Sequence, residues 1–215
     1  MSEPSSVFDI FAQNAYRLGH CSVVPYNRQD TLTFGDDFLL QLYRQSKPNL
    51  ASTFCGMTDL SASSICAYLS TRSPLLLICV DDGSTDTGFT VIGYAFPTII
   101  AGPRQGSITP DPGRSMMLGY TFFKQWYRSP EIVVGMMLAG VYFFHEFGLL
   151  TLQGQSLPSN ALTRKFLSQY GTRDVGILPK FLFNGREMLD SYQSCLDRNT
   201  FADYCRKVLL DCSQI

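Results

Sequence analysis

The chain has little of what marks membrane, secreted or nucleic-acid-binding proteins. Its 17 Lys and Arg nearly balance 18 Asp and Glu, for a formal net charge of −1. No basic cluster occurs, so neither nucleic acid nor an anionic membrane is an expected partner. The start, MSEPSSVFDIF, lacks a basic stretch followed by a long apolar run, and does not read as a secretory signal. The seven cysteines (21, 55, 66, 79, 195, 205 and 212) form no C-x-x-C pair. That argues against a zinc knuckle or a thioredoxin-type couple, and no metal is expected. Their odd number and irregular spacing fit reduced thiols and a cytoplasmic setting. The sequence also lacks G-x-S-x-G, G-x-x-x-x-G-K-S/T, H-E-x-x-H and G-x-G-x-x-G. His145-Glu146 has no second histidine to complete a zinc motif, and His20-Cys21 is the one adjacent imidazole–thiol pair.

What is present suits a soluble globular domain: 215 residues, 45% hydrophobic and 16% charged. The apolar stretch Ile132–Phe144 is 13 residues long. A membrane span needs about 20, so this is a core helix. Val7, Phe8, Phe11, Ala15 and Leu18 recur at helical spacing, as do Phe38, Leu39, Leu42 and Tyr43 after Gly35-Asp36-Asp37. Asp59 is placed to cap a third helix carrying Leu60, Ile65, Tyr68 and Leu69.

Strands follow. Residues 74–82 and 89–96 read as a hairpin, the second strand ended by Pro97. A Gly/Pro-rich loop over 101–114 leads to a strand over 115–126, then a helix from about 130 to 147. A strand over 149–157 and a helix over 159–171, ended by Gly171, come next. Asn184-Gly185 signals a turn between strands 173–183 and 187–197. Thr200 and Asp203 resemble a capping box for a last helix, with Phe201, Tyr204, Cys205, Val208 and Leu209 on its packing face. The order predicts a mixed α/β sheet with helices on its faces.

This order, and four residues in one register, resemble the GNAT-type N-acyltransferase superfamily. Arg128 precedes Gly148 by twenty residues, Asn160 follows after twelve more, and Gly171 eleven beyond that; Tyr127 before the arginine also fits. The resemblance implies a mostly antiparallel sheet with one central parallel pair, strands 115–126 and 149–157, and helices on both faces. It divides the chain into a helical acceptor-side part (1–73), a sheet core (74–197) and a C-terminal helix (198–215). It implies acyl transfer, usually acetyl, from acetyl-CoA or another acyl-CoA to an amine acceptor. It requires no metal and leaves room for a homodimer. The family's donor loop reads Arg/Gln-x-x-Gly-x-Gly/Ala, and its backbone N–H groups hold the pyrophosphate at a helix N-terminus. Here Arg128 is present, but Glu131 and Val133 stand at glycine positions.

By register, Phe123 and Gln125 are expected to offer backbone N–H groups to the donor, beside Tyr127, Arg128 and Asn160 as donor-binding residues. The position of the family's acidic tyrosine is Leu167. Ser168 and Tyr170 are expected to turn onto other faces, which leaves Tyr94 and Tyr120 as candidate catalytic hydroxyls. Gln153, Gln155 and Ser156 are candidates to hold a water. Two functions remain: an acyl-CoA-dependent N-acyltransferase working by direct attack in a ternary complex, or a GNAT-like binding or structural module without catalysis.

Overall fold

The computed structural model describes residues 6–27, 37–50, 54, 57, 59–83, 88–98, 115–158, 161–183 and 187–212. The helices are α1 (Val7–Gln13), α2 (Phe38–Ser46), α3 (Ala62–Ser70), α4 (Pro130–Glu146), α5 (Ala161–Ser168) and α6 (Arg198–Cys212). The strands are β1 (Arg17–Leu18), β2 (Cys21–Pro25), β3 (Leu76–Asp81), β4 (Phe89–Thr98), β5 (Ser115–Phe122), β6 (Thr151–Ser156), β7 (Arg173–Phe183) and β8 (Met188–Asp197). They form one sheet in the order β1-β2-β3-β4-β5-β6-β8-β7. Every pair is antiparallel except β5–β6, which is parallel, as the α4 crossover between them demands.

Side chains on β3–β5 alternate between two cores. Leu76, Ile78, Met116 and Leu118 meet α1, α4 and α6; Leu75, Leu77, Cys79, Tyr94 and Phe123 lie with residues of α2 and α3. α4 is buried nearly all round because it is sandwiched. Its inner face presses so closely on β3 that a Cβ on Gly135 would meet Ile78 Cγ2 at 2.2 Å. Outward, Phe144 stacks on Phe8 of α1 and packs against Phe201 of α6, with centroids 5.7 and 5.4 Å apart. Gly148, at φ +58°, takes the left-handed turn that releases the chain from α4.

The N-terminal part is less helical than its pattern suggests. α1 stops at Gln13, and Ala15 and Tyr16 adopt positive φ (49° and 52°). Leu18 then enters β1, and β2 pairs with β3, so the sheet begins well before residue 74. The Tyr16 hydroxyl donates to the Glu146 carboxylate and lies 2.8 Å from His145 Nδ1 at the far end of α4, which anchors that turn. Ser61, rather than Asp59, is the N-cap of α3; the Asp59 carboxylate accepts from Ser61 and Ser64. Asp197 caps α6 by accepting from the N–H groups of Asn199 and Thr200 at 2.9 and 3.3 Å. β4 also runs through Pro97 to Thr98. The missing N–H of Pro97 faces beyond the start of β3, where no strand partner is lost.

Candidate active site

β5 and β6 pair over only three residues, Ser115–Met117 with Thr151–Gln153. Beyond Met117 they part. Accessibility changes at that point: Met116, Met117, Leu118 and Leu152 are buried, whereas Tyr120, Phe122, Gly154, Gln155 and Ser156 are half-buried. The divergence opens a slot with β5 on one side and β6 on the other.

Strand geometry decides which β5 amides face it. The Phe123 N–H donates to the Ile92 carbonyl at 3.0 Å, so it is spent on β4. In an antiparallel ladder successive N–H groups point to opposite edges. The N–H groups of Leu118, Tyr120 and Phe122 therefore lie on the edge toward β6; that of Leu118 closes the last rung of the ladder on Gln153, and that of Tyr120 lies beyond it. The expected register was off by one at Phe123. Gln125 is not in the strand at all: β5 ends at Phe122 and Lys124–Trp126 form a 3₁₀ turn, closed by Trp126 and Tyr127 N–H groups donating to Phe123 and Lys124 carbonyls.

Above the slot, Tyr127 and Arg128 are exposed, Arg128 with φ +74°. Ser129 is the N-cap of α4 and Pro130 its first residue. The Glu131 carboxylate folds back over this end. It accepts from Ser129 Oγ at 2.5 Å, and His20 Nε2 of the β1–β2 turn lies 3.1 Å away. The hydroxyl of Ser129, the backbone N–H of Glu131 itself and His20 hold its pKa below the ordinary carboxylate value. This ties the β1–β2 turn to the first turn of α4. His20 is thereby turned to Glu131, and burial raises the Cys21 thiol to about 11, which leaves no thiolate–imidazole couple.

The four candidate hydroxyl positions separate cleanly. Tyr94 is fully buried on the α2–α3 side, 2.8 Å from Ser46 Oγ, and burial raises its pKa to about 12. It is a satisfied core tyrosine. Tyr120 lines the slot on the α4 side, with its pKa raised by desolvation. Leu167 of α5 lies against the β6 wall, 4.0 Å from where a Gly154 Cβ would be. Tyr170 is not turned away: it is 3% exposed, and its hydroxyl donates to the Val133 carbonyl in the first turns of α4 at 2.9 Å. The i, i+3 relation to Leu167 was the signal for it. Asn160 and the loop 101–114 lie outside the described residues.

On the opposite face of β6 and β8, Gln155 Nε2 donates to Gln193 Oε1 at 3.2 Å, and Gln193 Nε2 donates to Ser191 Oγ at 2.5 Å. Ser156 points to the α5 side instead. Its Oγ is buried with no hydrogen-bond partner among the described residues, and so is the hydroxyl of Tyr192, directly opposite on β8. Among the described residues no group of three or more His, Cys, Asp or Glu is placed to hold a metal, and no helix is long and apolar enough to cross a membrane.

No protein-family model matches the chain, and no curated protein does. Solved structures match it over most of its length. RimJ of Mycobacterium smegmatis, in complex with CoA-disulfide, superposes with a TM-score of 0.62 at 16% identity, covering 87% of this chain and 88% of that one. The spermidine N-acetyltransferase of Vibrio cholerae, in complex with CoA and spermine, gives 0.63 at 11% identity, covering 85% and 98%. The ribosomal-protein-S5-alanine acetyltransferase of Vibrio fischeri gives 0.61 at 13% identity, covering 85% and 96%. This chain has the GNAT N-acyltransferase fold. At these identities the likeness is one of architecture, a mostly antiparallel sheet with one parallel pair. In this chain α4 is the crossover between the parallel strands, α5 lies beside β6, and α2 and α3 lie on the other face of the sheet.

Proposed function

We propose that this chain is an N-acyltransferase that takes its acyl group from a pantetheine thioester of the acyl-CoA class and passes it to an amine. The observation that carries this reading is the slot between β5 and β6, edged on the β5 side by the backbone from Tyr120 onward. The CoA-disulfide in the RimJ complex, and the CoA and spermine in that of the spermidine N-acetyltransferase, support the substrate classes. The thioester supplies an activated acyl carbon. In the reaction a C–N bond forms, the C–S bond breaks, and one proton passes from the amine to the departing thiolate.

The chain's own contribution is mainly positioning. Backbone N–H groups on the β5 edge donate to the thioester oxygen as it gains charge, and need no particular side chain. Tyr120 is the hydroxyl best placed at the slot. A desolvated phenol holds its proton firmly, so it acts as a hydrogen-bond donor toward sulfur, not as a base for the amine. Leu167 offers no acid. Turnover is therefore slow and rests on alignment. The amine approaches from the α2–α3 face, past Gln153, Gln155 and Gln193. Tyr127 and Arg128 stand exposed beside the mouth of the slot, where the donor enters. The free cysteines suit a reducing, cytoplasmic setting, and the exposed Val175, Ile177 and Phe181 of edge strand β7 suit self-association.

A second reading, a binding module that has lost catalysis, is favoured by the Glu131 carboxylate standing where a donor loop would hold phosphate. Thermal shift and calorimetry with acetyl-CoA and longer acyl-CoAs separate the two, because a ligand bound only by the native state raises the melting temperature. Binding together with acylation of an amine panel supports the enzyme. Absence of both decides for the module.

A further inference from the structure

A phosphate cradle at a helix N-terminus needs unpaired N–H groups. At α4 most are engaged or missing. The Ser129 N–H donates to the Trp126 carbonyl at 2.9 Å. Pro130 has none. The Glu131 carboxylate, held by Ser129 Oγ and His20 Nε2, lies over this end of the helix. The Ile132 N–H donates to the Ser129 carbonyl at 3.3 Å. A diphosphate brought here finds few backbone donors at the helix end, and it meets a carboxylate already held by Ser129 and His20. The exposed cations on this turn, Lys124 and Arg128, are solvated, and a solvated surface charge contributes little. The diphosphate half of coenzyme A does not fit this end of the site.

The slot itself suits the other half of such a donor. The pantetheine arm is uncharged and carries two amides. It would run between β5 and β6, along the β5 backbone edge and over Gly154 and Leu167. Beside the β6 wall, on its α5 side, two hydroxyls are buried without partners among the described residues, Ser156 Oγ and that of Tyr192, itself 7% exposed. A buried hydroxyl without a partner is costly, and an amide in reach satisfies it.

We propose that the donor site recognises its thioester through the acyl-pantetheine arm alone and does not anchor the diphosphate. The consequence is that an acyl-pantetheine serves as well as the corresponding acyl-CoA, and that a pantetheine arm borne on another carrier is equally acceptable. Glu131 is the specificity-determining residue, and His20 the residue that positions it. This inference rests on the acyltransferase reading above.

The test compares acetyl-CoA with acetyl-pantetheine, by calorimetry and by kcat/KM with one amine. The wild-type protein is expected to bind the two within about threefold of each other. Arg128→Ala should change acetyl-CoA affinity by less than about fivefold. Glu131→Gly should favour acetyl-CoA by tenfold or more while acetyl-pantetheine stays put. Glu131→Gln, which keeps the side chain's length, should give part of that gain and covers the case where glycine loosens the helix end. Wild-type preference for acetyl-CoA of tenfold or more overturns the inference and leaves the acyltransferase reading standing. Binding of neither thioester overturns both.

Discussion

Tyr94 and Tyr120 sit two strands' faces apart, and a hydroxyl deletion treats them differently. Tyr94→Phe removes a buried hydrogen bond to Ser46, whose Oγ still donates to the Leu42 carbonyl at 2.7 Å. The expected cost is about 1–2 kcal/mol of stability, with kcat unchanged once the folded fraction is matched. Tyr120→Phe should leave the melting temperature within a few degrees and lower kcat by about tenfold or more. Urea melts and amine-acylation rates on both variants check the pair; a Tyr94→Phe protein that is stable but inactive would reverse the assignment. Gly135 is the third residue of this kind. A methyl there would overlap Ile78 Cγ2 on a fully buried strand residue. Gly135→Ala should therefore destabilise by about 1–3 kcal/mol, the usual cost of overpacking, although alanine is the better helix former in isolation. A melt showing a gain would mean that α4 can lift off β3.

Elements with strong periodicity were readable from sequence, and junctions were not. The α4 run is apolar on every side, so its buried position and its length against a bilayer follow from composition alone. Strands 3 to 8 carry enough alternation or apolar character to give their order, and the family resemblance resting on the 127–171 register implied the parallel pair. The β5 end was missed because Phe123 and Gln125 continue the alternation for three residues after the backbone has turned into a 3₁₀ step. That one-residue difference moves the slot-facing N–H groups from Phe123 to Tyr120 and Phe122. β1 and β2 were missed for another reason. Ala15 and Leu18 prolong the α1 pattern, but tertiary contacts from Tyr16 to the far end of α4 fix a left-handed turn that no local propensity favours. Tyr16→Phe should loosen that clasp. The expected result is faster hydrogen exchange in α1 and β1, with β4 and β5 unaffected; uniform protection across the chain would show that the clasp contributes nothing locally.

At the scale of the whole molecule, ionisation should set stability at both ends of the pH range, and the signs are opposite. Asp9, Asp59, Glu131 and Glu146 all have depressed pKa values, caused first by hydrogen bonds from Ser6, Ser64, Ser129 and Tyr16 respectively. A depressed carboxylate stabilises the fold above its unfolded pKa, near 4, and that contribution is lost as pH falls through the folded value. Cys21, Cys79, Cys205 and Tyr94 are shifted the other way, to about 11, 12, 12 and 12, first by burial. A raised thiol or phenol contributes stability that is complete below its unfolded pKa. Above that, near 9 for the thiols, the unfolded chain ionises while the native state holds its protons, so stability declines toward pH 11–12. The melting temperature should thus be flat around neutrality and fall on both sides. Cys79→Ala and Cys205→Ala, each measured alone, should start from a lower plateau because a buried atom is removed. Each should then lose less between pH 8.5 and 11 than the wild type does. Parallel alkaline arms in wild type and both variants would show that the buried thiols do not carry the decline, and would leave Tyr94 as the next group to replace.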